Sequence, residues 1–118
     1  MGKIIVIDDD FDIRTIIKDA LEDEGHEVYT ADNGDSGLTL VDQHKPQVVI
    51  TDIFMPVKEG VNVVRTIKSK HPGIKILVIS GADRRDNYFE TAKNFGADET
   101  LAKPFQIEAL IDTVAHFM

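Results

Sequence analysis

With 118 residues, 42% of them apolar and 29% charged, the chain has the size and composition of one globular domain built on a single core. Thirteen Lys and Arg against 21 Asp and Glu leave a net charge of −8, which repels nucleic acid and anionic lipid. The lack of cysteine excludes disulfides, thiolate metal sites and cysteine nucleophiles, and no apolar run reaches the length of a membrane span. Met1-Gly2-Lys3 leads straight into a strand pattern rather than a signal peptide, so a cytoplasmic location is expected.

The first element is Ile4-Ile5-Val6-Ile7, a β-branched run stopped by Asp8-Asp9-Asp10, which predicts a central strand buried on both faces. Ile13, Ile16, Ile17, Ala20 and Leu21 then recur at helical spacing up to Gly25, which is expected to cap that helix. Glu27 to Ala31 predicts a second strand, and Asn33-Gly34 is a turn signal before a weaker helix carrying Leu38 and Val41. Past Pro46, Val48-Val49-Ile50-Thr51-Asp52 is a third buried strand that ends on a carboxylate and is closed by Met55-Pro56.

Val61, Val64 and Ile67 mark the third helix, ended by His71-Pro72-Gly73. Ile74 to Ile79 predicts the fourth strand, followed by Ser80-Gly81-Ala82 and a helix over residues 84–95. Asp98 to Ala102 is a weak fifth strand, Lys103-Pro104-Phe105 follows, and Ile107, Leu110, Ile111 and Val114 outline a last helix. The four His, at 26, 44, 71 and 116, lack metal-ligand spacing and are expected at the surface without a role.

Five strands alternating with five helices through short connections predict an α/β domain over residues 1–118, with a doubly wound parallel sheet and no room for an output domain. Ligands of such sheets collect at the carboxyl ends of the strands. There the chain places Asp8 and Asp9, Asp52, Ser80 and Lys103. Clustered acids raise one another's pKa unless a cation sits among them, and an all-oxygen set with open positions suits Mg²⁺. Such a site could lower the charge barrier for attack of Asp52 on a phosphoryl group, with Lys103 as a second cation and Ser80 as a donor to phosphoryl oxygen. Asp10 and Asp12 are expected only to favour the amino end of the first helix.

Val-Ile-Asp-Asp-Asp (6–10), Thr-Asp-Ile-Phe-Met-Pro (51–56), Ile-Ser-Gly-Ala (79–82) and Leu-Ala-Lys-Pro-Phe (101–105), in this order at strand ends, resemble response-regulator receiver domains over essentially the whole chain. The resemblance implies a flavodoxin-like, three-layer (βα)5 fold with strand order 2-1-3-4-5. It implies that Asp52 accepts a phosphoryl group from phosphohistidine on a histidine kinase or histidine phosphotransfer protein, or from acetyl phosphate. By the same match Asp9 and Asp52 are direct Mg²⁺ ligands, Phe54 contributes its backbone carbonyl, and Asp8 acts through metal-bound water. Lys103 and Ser80 contact phosphoryl oxygens and Pro104 shapes the peptide after the lysine. The chain is then a signalling switch, monomeric or dimerising on phosphorylation, rather than an enzyme that turns over external substrate.

Three positions depart from the common pattern. Thr100 stands where many receivers carry Tyr or Phe, which argues against an aromatic switch. Phe54 and Ala82 replace polar residues, and an apolar Phe54 would shield the acyl phosphate from water and lengthen its life. Tyr88, Phe89 and Phe95 give the fourth helix more aromatic surface than one face can hide, so partner contacts are expected there and on the last strand and helix. The alternatives are a receiver cut from a longer regulator, a flavodoxin-like cofactor binder, and an aspartyl-phosphate phosphatase. An anionic cofactor phosphate would meet repulsion at Asp8 to Asp10, and no cap insertion offers a phosphatase pocket.

Overall fold

Alternation of side chains along five parallel strands divides the core of this protein into two halves, one on each side of the sheet. The computed structural model describes residues 2–52, 60–81, 93 and 96–118. In chain order the elements are β1 (Lys3–Ile7), α1 (Phe11–Asp23), β2 (Glu27–Ala31), α2 (Gly34–His44), β3 (Val48–Asp52), α3 (Gly60–Lys70), β4 (Lys75–Gly81), β5 (Glu99–Lys103) and a C-terminal helix (Ile107–Phe117). All pairings are parallel, in the order β2-β1-β3-β4-β5. The expected strand order and doubly wound α/β class are therefore observed. The expected fourth helix, with Tyr88, Phe89 and Phe95, lies outside the described residues.

Ile4, Val6, Val48, Ile50, Leu77 and Ile79 point to one face, where Ile17 and Leu21 of α1 and Leu110 and Val114 of the C-terminal helix cover them. The intervening Ile5, Ile7, Val49, Ile76 and Val78 point the other way, against Val41 of α2 and Val63, Val64 and Ile67 of α3. Burial on both faces is why β1 and β3 carry unbroken β-branched runs instead of an apolar–polar alternation. Each such side chain contributes about 2 kcal/mol of transfer free energy on burial. No helix among the described residues is long and apolar enough to cross a membrane.

Element boundaries follow local chemistry. Asp10 caps α1 through bonds from the Asp12 and Ile13 N–H groups, at 2.9 and 3.3 Å, as its place before the helix predicts. The cap at the other end is Glu24, and Gly25 follows it with φ 93°. Asn33-Gly34 does not form a free-standing turn: Asn33 accepts from the Ser36 N–H at 2.9 Å and starts α2 directly. Two strands are displaced from their expected limits, because backbone pairing continues where the apolar run stops. β4 starts at Lys75 and takes in Ser80 and Gly81, and β5 starts at Glu99 and takes in Lys103, which pairs with Gly81.

Ile16 also departs from expectation, being 57% exposed. Ile13, Ile17 and Leu21, spaced by four, form the stripe that meets the sheet, and Ile16 falls on its flank. β5 is held in register by Asp98, whose Oδ2 accepts from the Ile76 N–H at 2.8 Å and from Lys68 Nζ at 2.8 Å. His71 pairs with Asp42 at 3.1 Å and His44 stacks on Tyr29, so two of the four His bind neighbouring elements together.

The close approach of α2 to β1 depends on Gly37, where a Cβ would overlap the buried side chain of Ile7. Gly37→Val is expected to cost about 2 kcal/mol through overpacking. Urea denaturation checks this; an unchanged midpoint would contradict the close approach.

Candidate functional site

β1, β3 and β5 each deliver one charged residue to the same end and the same face of the sheet. Asp8 continues the parity of Ile4 and Val6, Asp52 that of Val48 and Ile50, and Lys103 that of Leu101, all toward α1 and the C-terminal helix. Lys103 Nζ donates to Asp52 Oδ2 at 2.8 Å and to Asp8 Oδ2 at 3.0 Å. Asp8 is 0% and Asp52 6% exposed, so one ammonium serves two buried carboxylates. Asp9, which is exposed, completes the group: one carboxylate oxygen from each of Asp8, Asp9 and Asp52 lies within 4.8 Å of the others.

The two buried partners respond differently to this arrangement. Burial pushes the Asp8 carboxyl above the ordinary aspartate value, and the negative charge of Asp52 adds to that, against bonds from the Asp10 N–H and Lys103. Burial opposes the charge of Lys103, but its bonds to Asp52 and Asp8 outweigh this and hold its pKa above the usual lysine value. Among the described residues Lys103 brings one positive charge to three carboxylates. The donors of the cluster are all hard oxygens, and Asp9 opens it to solvent. That chemistry fits a small hard divalent cation that retains several waters.

Asp8 is held by its backbone as well as by its side chain. Its Oδ1 accepts from the Asp10 N–H at 2.9 Å, its backbone N–H donates to the Ala31 carbonyl at 3.1 Å, and its carbonyl accepts from Arg14 Nη1 at 2.7 Å. The Arg14 bond had no signal in the sequence, where that arginine has the spacing of any solvent-facing residue on α1. Ser80 stands apart from the acids. It shares the parity of Ile76 and Val78, on the opposite side of the sheet, and its fully buried Oγ has no hydrogen-bond partner among the described residues. Thr100 pairs with Val78 across β4 and β5 and is partly exposed. Phe54 and Ala82 lie outside the described residues.

The Lys103–Pro104 peptide is cis, and beyond it an apolar groove runs between α1 and the C-terminal helix, walled by Ile13, Ile16, Phe105 and Ile107. Lys103 and Pro104 form the end of the groove nearest the acids.

Comparison with known proteins gives a consistent result. Residues 4–115 match the family model described as response regulator receiver domain. The chain is 30% identical over 115 residues to the chemotaxis protein CheY of Listeria monocytogenes, covering 97% of this chain and 96% of that protein. Its fold superposes on CheY4 of Vibrio cholerae with a TM-score of 0.91 at 30% identity, covering 100% of this chain and 99% of that one. The match to NtrX of Brucella abortus has a TM-score of 0.92 at 32% identity and covers 98% of this chain, which spans only 26% of the NtrX chain.

Because the folded protein holds the Asp8 proton to higher pH than the unfolded chain does, stability falls as pH rises through that interval, and the cost remains at neutral pH. Asp8→Asn is expected to remove this fall, raising the Tm of the metal-free protein by a few degrees at neutral pH and by much less in acid. Calorimetry across pH checks the sign; a lower Tm at neutral pH would contradict it.

Proposed function

This chain belongs to the response regulator receiver domain family of two-component signalling, and on that premise we propose that it is a phosphoacceptor switch whose reactive group is Asp52. The observation that carries the reading is the bridge made by Lys103 between Asp8 and Asp52, with the carboxylate of Asp9 completing the group. Receivers are signalling switches rather than turnover enzymes, so the chemistry is self-directed.

In this reading a phosphohistidine on a histidine kinase or phosphotransfer protein presents its phosphoryl group to the mouth of the sheet. A carboxylate oxygen of Asp52 attacks phosphorus in line, the phosphorus–nitrogen bond breaks, and imidazole leaves, giving an acyl phosphate on Asp52. Asp9 and Asp52 would hold Mg²⁺ directly, joined by the backbone carbonyl of Phe54, with Asp8 acting through water. When bound, Mg²⁺ supplies neutralisation of the charge that builds up between carboxylate and phosphoryl oxygens.

Lys103 is already within hydrogen-bond reach of Asp52, so its ammonium needs only a small shift to meet phosphoryl oxygens. Ser80 is the complementary sensor. Its buried hydroxyl has no hydrogen-bond partner among the described residues, and a shift of the end of β4 that brought it to a phosphoryl oxygen would supply an acceptor. Drawing Ser80 inward would bias β4 and the segment that follows it, which is how added charge becomes a surface signal. The groove beside Lys103 gives the phosphodonor an apolar surface to seat against.

A cytoplasmic setting suits a partner of this kind. The flavodoxin-like alternative has little support, since an anionic cofactor would face three carboxylates at the same strand ends.

Incubation with Mg²⁺ and acetyl phosphate or a phosphohistidine donor, followed by intact-mass measurement, is expected to add one phosphoryl group. The gain should vanish in EDTA and in Asp52→Asn. Retention of the added mass in Asp52→Asn would place the reaction elsewhere and defeat the reading.

A further inference from the structure

We propose that Arg14 is a positioning residue for the divalent cation: by holding the Asp8 carbonyl it fixes the Asp8–Asp9 peptide plane, and so keeps the carboxylate of Asp9 within the cluster. The inference rests on the metal reading above and extends it to a residue that touches neither metal nor phosphate.

The connection from β1 to α1 is only Asp8, Asp9 and Asp10. Asp8 is anchored through its N–H to Ala31 and through its side chain to Asp10 and Lys103. Asp10 is anchored to α1 by its capping bonds. Asp9 is exposed, and a short exposed side chain takes its direction from the peptide plane that precedes it. That plane contains the Asp8 carbonyl, whose oxygen receives Arg14 Nη1 at 2.7 Å. Without that bond, rotation about Asp8 ψ and Asp9 φ could swing the Asp9 carboxylate away while leaving β1 and α1 intact.

Arg14 is itself held in place. Its guanidinium lies over the ring of Phe11, 5.6 Å from the centroid, one helical turn earlier. Phe11 is 68% exposed, so this ring adds little to the core and its contact with Arg14 needs another reason. Holding the guanidinium over the β1–α1 connection supplies one.

Electrostatics alone predicts the opposite outcome, which makes the proposal sharp. A guanidinium near the cluster repels a divalent cation, so removing its charge should tighten Mg²⁺ binding if charge were all that mattered. Positioning predicts weaker binding, because a ligand that is no longer held must be ordered at the moment of binding; loss of such outer contacts typically costs about tenfold or more in metal affinity.

The test is Mg²⁺ binding to the full chain by titration calorimetry, without phosphodonor. Arg14→Met, which keeps an unbranched apolar stem but has no donor, is expected to weaken Mg²⁺ binding about tenfold. Arg14→Lys, whose longer side chain still carries a donor toward the Asp8 carbonyl, should stay within a few-fold of the wild type. Phe11→Ala, a surface change that spares the fold, should weaken binding in the same direction by less, and it decides the matter if Arg14→Met does not fold. Binding in Arg14→Met as tight as in the wild type, or equal in the Met and Lys variants, overturns the proposal, as does unchanged binding in Phe11→Ala when that variant must decide. If the wild type binds no Mg²⁺, the metal reading fails and the role of Arg14 falls with it, a result distinct from binding that ignores Arg14.

Discussion

Lys103, with its ammonium between two buried carboxylates, is the contact on which the rest of this site depends. Asp8 and Asp52 sit at the ends of adjacent strands, and without a cation their mutual repulsion and lost hydration would favour protonation or local opening. Supplying that cation from β5, two strands away from β3, requires the sheet order and register to be correct across β3, β4 and β5. Fold and chemistry are therefore coupled. Asp98, by tying its segment to Ile76, sets where β5 lies and so where Lys103 can reach.

Among the described residues one ammonium meets three carboxylates, and the proposed reading makes that imbalance the basis of the switch. In that reading the excess of carboxylate over ammonium would draw a divalent cation and, with it, a phosphoryl group. The buried hydroxyl of Ser80 has no hydrogen-bond partner among the described residues, and in the proposed reading it gains an acceptor when β4 shifts after phosphorylation. A site whose members are fully satisfied at rest would have little to transmit.

Much of the fold was legible because burial on both faces forces a simple pattern on the central strands. Ile4 to Ile7 and Val48 to Ile50 could hardly be anything but buried strands, and the acids after them mark the carboxyl ends. Strand order was not legible from periodicity, which carries no information about neighbours; it came from the resemblance to receiver domains. Ser80 and Lys103 were assigned just outside strands that contain them, since composition changes before backbone pairing ends. Ile16 shares the helical spacing of the core residues of α1 but walls the groove beside Lys103, a difference that spacing alone does not show. The site acids and lysine were legible as chemistry that needs a shared location. Arg14 was not, because its bond is to a backbone carbonyl six residues earlier, and carbonyls leave no mark in a sequence.

The central claim is that, of three adjacent acids, Asp52 alone carries the phosphoryl group while Asp8 and Asp9 serve the cation. Borohydride reduction of the phosphorylated protein converts an acyl phosphate to the corresponding alcohol and so records which aspartate had reacted. Peptide mapping after that reduction is expected to find homoserine at position 52 only. Homoserine at position 8 or 9, or none in protein that had gained phosphoryl mass, would contradict the account.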